Sequence, residues 1–224
     1  FSDLRVRQAM RHAIDARPIV EQYLLGRARA LPGMLTPMAF GADGSLPQPE
    51  YDPARARELL REAGYPEGLD VTLDCEATDK RVAEAIAGGG MNAVGIRAEV
   101  RVWKKDNLMN QLRRQERAMF LTSWGNSSLD PSGILPVLFH SKGYSNYFGY
   151  QNAQVDRLLD EADRSMEAGD RAARYVEVQQ ILHAEAPTCF HFAMEELCGV
   201  ADRVVNFQAR SDGMLPMHDV NIGS

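Results

Sequence analysis

Cysteine is scarce in this 224-residue chain: Cys75, Cys189 and Cys198 are the only three, and none forms a CxxC pair. Zinc ribbons and thioredoxin-type redox sites need thiols at that spacing and are therefore unsupported. A Cys189–Cys198 bridge in an oxidising compartment and buried free thiols both stay open at this point. Long apolar runs are missing too. No stretch of about 18 apolar residues occurs, so no membrane-spanning helix is expected. The opening FSDLRVRQAM lacks a basic region followed by an apolar one, so no signal peptide is expected within these residues, and a chain starting at Phe1 is expected to be processed or cut from something longer. Cations are outnumbered. Lys and Arg total 25 against 31 Asp and Glu, a net charge of −6, the wrong sign for phosphate neutralisation, so nucleic acid is not an expected partner. What remains is 45% hydrophobic, 8% aromatic and 25% charged. At this length such a composition supports one large domain or two small ones, with a core that needs neither disulfides nor a structural metal.

The apolar spacing organises the chain. Val6, Ala9, Met10, Ala13 and Ile14 form one helical stripe, with Arg5, Arg7 and Arg11 outside it. Pro18 interrupts, and a short helix over 19–25 is expected before Gly26. Residues 29–50 hold four prolines and three glycines and read as a long structureless connection, the kind that is functional or wraps another surface. Asp52 and Pro53 then start a helix that buries Leu59, Leu60 and Ala63 and stops at Gly64. Alternation predicts a strand over 70–75, and Val82, Ala83, Ala85 and Ile86 predict a helix. Gly88, Gly89 and Gly90 end or weaken it, at about 1 kcal/mol each relative to Ala. A strand over 96–102, a helix over 107–115 and an apolar strand over 118–124 follow. Strand, helix, strand, helix, strand implies parallel pairing.

Beyond Trp124 the pattern turns to a polar loop, Gly125 to Leu129, and Asp130-Pro131 starts another helix containing Ile134, Leu135 and Leu138. An aromatic-rich loop spans 143–151. A helix then buries Val155, Leu158, Leu159, Ala162 and Met166. Gly169-Asp170 separates it from one that buries Tyr175, Val178 and Leu182 and stops before Pro187. Strands are expected over 189–194 and 197–205, and the tail carries Met214, Leu215, Met217 and Val220 at strand spacing. Residues 97–117 carry seven cations and three acids, and 152–185 eight acids and four arginines; both read as solvated helix faces.

Most catalytic constellations are missing. Ser127 and Ser128 lie outside any G-x-S-x-G elbow. His183, His191 and His218 are not at i, i+4 metal spacing, and His191 between Phe190 and Phe192 reads as a strand residue. Gly88 to Gly90 lack the Lys and Ser/Thr of a phosphate loop. Glu195-Glu196 sit at a solvated turn. The informative place is the loop after the third strand, because ligands of open α/β sheets bind beyond the carboxyl ends of the strands. Trp124 offers an aromatic wall there, and Asn126, Ser127 and Ser128 offer an amide and hydroxyls, a set suited to a polar organic solute. Lys80 and Arg81 start a helix at another carboxyl end and are candidates for a ligand carboxylate.

Several blocks resemble one family in order. They are Arg5-Val-Arg-Gln-Ala9 with Ala13-Ile14-Asp15; Tyr51-Asp52-Pro53 with Leu59-Leu60 and Ala63-Gly64-Tyr65-Pro66; Val94-Gly95-Ile96; Trp124-Gly125 with Asp130-Pro131; Asn146-Tyr147 with Val155-Asp156; and Gln180-Ile181-Leu182 with Ala186-Pro187. This series resembles the C-terminal half of the extracytoplasmic solute-binding proteins of the dipeptide, oligopeptide and nickel class (family 5), which serve ABC importers. The resemblance implies an α/β fold, a mixed and largely parallel sheet flanked by helices, forming the C-terminal lobe of a type II periplasmic binding protein. It implies a ligand-binding lobe over 1–205 and a tail over 206–224 that returns to an N-terminal lobe. The implied partners are a small-molecule or short peptide ligand, the permease subunits in the membrane and that N-terminal lobe. The implied location is periplasmic, with no enzymatic activity and no cofactor. Peptide-binding relatives carry an aspartate for the peptide amine where this chain has Ser127, which argues against an amine-anchored peptide. The alternatives are the ligand-sensing domain of a transcriptional regulator of the same fold, or a hydrolase using Ser127 and a histidine.

Overall fold

Asp3 begins α1 (Leu4–Ala13) by accepting the Arg5 backbone N–H, and the helix buries Val6, Ala9, Met10 and Ala13, the stripe that the spacing predicts. The computed structural model describes residues 1–189, 191–210 and 213–223. A one-turn helix, α2 (Ala16–Pro18), is capped by Asp15 and runs into a wide turn over Ile19–Tyr23. β1 (Ala28–Leu31) follows, then α3 (Pro53–Glu62), whose cap is Asp52 and whose buried residues are Ala56, Leu59 and Leu60. Gly64 ends it at φ +92°.

The central sheet is β2 (Leu69–Glu76), β3 (Ile96–Trp103) and β4 (Met119–Phe120) in the order β3-β2-β4. Both pairings are parallel, with Leu69 opposite Ile96 and Leu73 opposite Met119. α4 (Lys80–Ile86) and α5 (Lys105–Arg113) make the crossovers. The third strand is much shorter than the apolar run 118–124 predicts. Beyond the Leu121 N–H, which still donates to the Asp74 carbonyl at 2.8 Å, Thr122 and Ser123 are exposed and the chain leaves the sheet. Apolar character identified the strand, but ladder pairing ended it.

The three glycines continue α4 as a wide turn over Ala87–Met91, broken at Gly89 by non-helical φ −87° and ψ −117°. Gly90 has a steric reason. A Cβ there would lie 1.7 Å from the Ala13 carbonyl oxygen, so only glycine lets the end of α1 pack against this turn.

The second half starts with a 3-10 turn, Pro131–Gly133, capped by Asp130, and α6 (Leu135–Phe139). α7 (Ala153–Arg164) is capped by Asn152, and α8 (Ala168–Glu185) follows. Two expectations fail here. α7 stops before Met166, which is 96% exposed rather than buried, and Gly169-Asp170 lie inside the first turn of α8 rather than between helices.

β5 (His191–Met194) pairs antiparallel with β1, Ala28 opposite Met194 and Leu31 opposite His191. The 29–50 segment is therefore anchored at its start by a partner some 160 residues away, which local composition cannot reveal. It then wraps the second core with Leu35 and Ala39. The expected strand over 197–205 reduces to β6 (Val204–Val205), which pairs antiparallel with β7 (Asn221–Ile222). The tail thus has a partner within the chain, while Met214, Leu215 and Met217 are exposed and in no strand. Phe190, expected to be part of a strand, lies outside the described residues.

Two apolar cores result. One gathers α1, α3, α4 and the sheet around Met10, Leu60, Leu73, Met91 and Ile96. The other gathers α6, α7 and α8 around Phe139, Leu159 and Tyr175. α1 joins them through side chains that satisfy the last carbonyls of α8. Arg7 donates to Glu185 at 2.9 Å, Gln8 to Ala184 at 3.2 Å and Arg11 to His183 at 2.5 Å.

Candidate functional site

The loop that leaves β4 is held by its own polar residues. The Asn126 amide donates to the Asp130 carbonyl at 2.9 Å, and its oxygen accepts the Ser128 hydroxyl at 2.9 Å. The Ser128 oxygen in turn accepts the Asp130 N–H at 3.2 Å. Asn126 and Ser128 therefore fold the loop on itself. Ser127 is different: it is exposed and makes no hydrogen bond among the described residues. Trp124 is half-buried, its indole N–H fixed on the Gly133 carbonyl at 3.0 Å. Of the four residues expected to meet ligand on this loop, the indole and the Ser127 hydroxyl are the groups left available.

The backbone is strained where the loop turns. Leu129 sits at φ +54°, a conformation that a branched side chain rarely adopts. It is held there by the Phe40 N–H, which donates to its carbonyl at 2.9 Å. Asp130 supplies a second anchor. It caps the following turn through the Ser132 N–H and receives both arms of Arg171 from α8, at 2.8 and 2.5 Å. The guanidinium also lies 5.2 Å from the Phe40 ring and 5.1 Å from the Tyr175 ring. Arg171 first, and the Ser132 bonds next, hold the Asp130 carboxyl far below the usual carboxylate range. Bonding to Asp130 likewise pushes Arg171 up. Neither Arg171 nor Phe40 carries a sequence signal of this role, since each reaches the loop only through tertiary packing.

Lys80 and Arg81 lie where the order of elements predicts, at the start of α4 just beyond β2 and so at the same end of the sheet. Both are exposed, and Lys80 pairs with Glu84 at 3.5 Å. Two surface concavities lie elsewhere. One, of about 690 Å³, is lined by Asp70, Thr72, Gly88, Asn92 and Arg97. The other, of about 440 Å³, is lined by Tyr65, Asp74 and Arg117 among others. The loop after β4 borders neither and presents an open wall.

Other chemistries find little support among the described residues. No histidine with a described side chain hydrogen-bonds Ser127, and no group of three described His, Cys, Asp or Glu residues could hold a metal ion. His183 turns to the Pro32 carbonyl at 3.3 Å, and burial pushes its pKa down. The three cysteines are free thiols, Cys75 buried and Cys198 exposed.

The model of the bacterial extracellular solute-binding proteins, family 5 Middle, matches residues 1–146. Heme-binding protein A of Haemophilus influenzae is 28% identical over 196 residues, covering 84% of this chain and 36% of that protein. The glutathione-binding protein GsiB of Salmonella choleraesuis is 30% identical over 199 residues, covering 84% and 38%. Among solved structures, the periplasmic binding protein DppA of Helicobacter pylori, in complex with peptide STSA, superposes with a TM-score of 0.80 at 26% identity over 84% of this chain and 38% of its own. HbpA2 of Haemophilus parasuis superposes with a TM-score of 0.87 at 23% identity over 100% of this chain and 46% of its own. This chain spans little more than a third of the length of the curated relatives it matches. Its mixed α/β architecture, built on a parallel sheet, is that of the periplasmic binding proteins. With the family pattern running from α1 through the candidate loop to Asn146, the chain belongs to family 5 of the bacterial extracellular solute-binding proteins.

Proposed function

We propose that residues 1–205 are the C-terminal, ligand-binding lobe of a periplasmic solute-binding protein that captures a small polar, peptide-like solute and passes it to the membrane permease of an ABC importer. Capture occurs by closure against an N-terminal lobe, to which residues 206–224 return. No catalytic step is part of this function. The observation that carries the reading is the family match, because it includes the Trp124–Pro131 loop at the carboxyl end of the parallel sheet. The names of relatives that bind glutathione or a peptide favour a peptide-like solute. Met194, Leu197, Met214, Leu215, Met217 and Ile222 are all more than half exposed, apolar surface that a second lobe would cover.

In this reading Trp124 walls the ligand and Ser127 hydrogen-bonds it. Asn126 and Ser128 hold the loop and offer their remaining hydrogen-bonding capacity, while Lys80 and Arg81 meet a ligand carboxylate. The test is mass spectrometry of the solute released from the full-length gene product, followed by titration calorimetry with that compound. A peptide-like solute whose affinity falls about tenfold or more in Trp124→Ala is the expected result. If no solute is released and neither glutathione nor small peptides bind, the reading is wrong. Unchanged affinity in a Lys80→Ala, Arg81→Ala double variant would remove those two cations from the site.

A further inference from the structure

Residues 143–151 carry four aromatic side chains, and the fold consumes three of them. Tyr147 and Phe148 pack on Phe120, each at 6.5 Å between ring centroids. Tyr150 packs on Phe139 at 6.1 Å and donates its hydroxyl to Glu185 at 2.5 Å. Tyr144 alone is turned outward, 76% exposed, yet its ring lies 6.2 Å from the Trp124 ring at an interplanar angle of 52°. We infer that Tyr144 is a specificity-determining residue which, with Trp124, forms an angular aromatic platform for an aromatic or extended apolar side chain of the ligand. The inference rests on the reading of Trp124 as a ligand wall.

The backbone beneath Tyr144 is fixed. Gly143 sits so close to the end of α6 that a Cβ would lie 2.5 Å from the Val137 carbonyl oxygen and 2.6 Å from that of Pro136. Its N–H donates to His140 at 2.8 Å, and the Ser145 N–H donates to Val137 at 3.1 Å. Ser145 and Asn146, the next two residues, are 1% and 7% exposed, and the Asn146 amide donates to the Tyr150 carbonyl at 2.7 Å and to that of His140 at 3.2 Å. The indole is likewise pinned through its N–H. Two aromatic rings on rigid supports lose little freedom when a ligand packs on them, so buried apolar area is converted efficiently into affinity. The Trp124–Pro131 loop offers the rings no free acid, since Asp130 is taken by Arg171. The two rings themselves offer shape and apolar area, and no anionic group for a ligand amine.

The test uses the full-length gene product and four probes: Ala-Phe, Ala-Ala and their N-acetylated forms, titrated by calorimetry. Wild type is expected to favour Phe over Ala about tenfold, equivalent to about 1.4 kcal/mol, and to keep that ratio after acetylation. Tyr144→Ala should bring the ratio close to one and leave Ala-Ala binding within about twofold. Tyr144→Phe should keep it. An unchanged ratio in Tyr144→Ala, an equal loss for both peptides, or a preference that disappears on acetylation overturns the inference. Trp124→Ala separates the two levels: if it matters and Tyr144→Ala does not, only the Tyr144 assignment fails. If neither variant changes binding, Trp124 is no ligand wall, and the site reading fails with it. A wild type that binds none of the four probes refutes both.

Discussion

Replacing Arg171 by Ala tests how the candidate loop is held, with no contact to ligand involved. The guanidinium makes two bonds to Asp130 and one to the Tyr175 hydroxyl at 3.1 Å, and it faces two aromatic rings. The side chains of the pair are 23% and 30% exposed. Exposed pairs contribute about 0–1 kcal/mol and breaking a fully buried one costs about 3–5, so this half-covered pair stands near 2 kcal/mol. The ring contacts add about 0.5–1 kcal/mol. Arg171→Ala should therefore destabilise by about 3 kcal/mol, which at a slope of about 3 kcal/mol per molar urea moves the unfolding midpoint by about 1 M. Arg171→Met removes the guanidinium from Asp130 and from both rings, keeping only the apolar contact of its stem, and should lose nearly as much, about 2–3 kcal/mol. Acid titration supplies an independent check. The folded-state pKa of Asp130 lies below its unfolded value near 4, so the stabilisation is complete above about pH 5 and is lost as pH falls below about 4. Wild type and variant should stay equally far apart from pH 5 to 8 and converge below pH 4. A loss under about 0.5 kcal/mol, or a gap unaffected by acid, would show that the bidentate pair does not hold the loop.

The glycine run offers two substitutions of opposite sign. Gly90→Ala drives a Cβ into the Ala13 carbonyl and should cost about 3 kcal/mol in urea unfolding, whereas Gly88→Ala meets open space and should gain about 0.5–1 kcal/mol. Tyr150→Phe leaves Glu185 with the Asn152 amide alone and should lower stability by about 1.5 kcal/mol, read as a drop in Tm. Burial first, and Glu185 next, raise the Tyr150 pKa well above its ordinary value, so its neutral form stabilises the fold below pH 10. Above pH 10 the wild type should lose that contribution and the phenylalanine variant should not.

What could be read from the residues alone follows the range of the forces involved. Two helix starts were legible because they are local chemistry: Asp52 and Asp130, each followed by proline, cap the elements they precede, whereas Asp3, Asp15 and Asn152 cap theirs without a proline to mark them and the start read at Asp170 falls inside α8. The parallel sheet was legible from the alternation of its strands and the helices between them. The β1–β5 ladder, the β6–β7 ladder and the early end of β4 were not, because pairing across the chain decides them. Met166 shows the same limit at a helix end, where a stripe continued on paper past the last hydrogen-bonded turn. At the candidate site, residue types pointed to Trp124 and the polar residues after it. They could not say that Asn126 and Ser128 would bond to the loop itself, nor that Tyr144, twenty residues on, would lie against the indole.

The loop's electrostatics narrow the kind of solute that it suits. Between Trp124 and Pro131 the sequence contains one acid, Asp130, and that carboxylate is already a helix cap and the partner of Arg171. A ligand ammonium brought to the loop would meet the Ser127 hydroxyl and the indole face, but no free charge to offset the loss of its hydration. Competing for Asp130 is also unfavourable, since freeing it would unpair a half-buried arginine and release the strained Leu129 turn beside it. The loop's scaffold and its proposed ligand surface thus use separate chemistry: charge fixes the loop from α8, while the Ser127 hydroxyl and the aromatic groups are left available. In the proposed reading, a solute on this loop gains most by presenting a neutral hydrogen-bonding edge and an apolar face, with a carboxylate turned towards Lys80 and Arg81 and any ammonium kept in water.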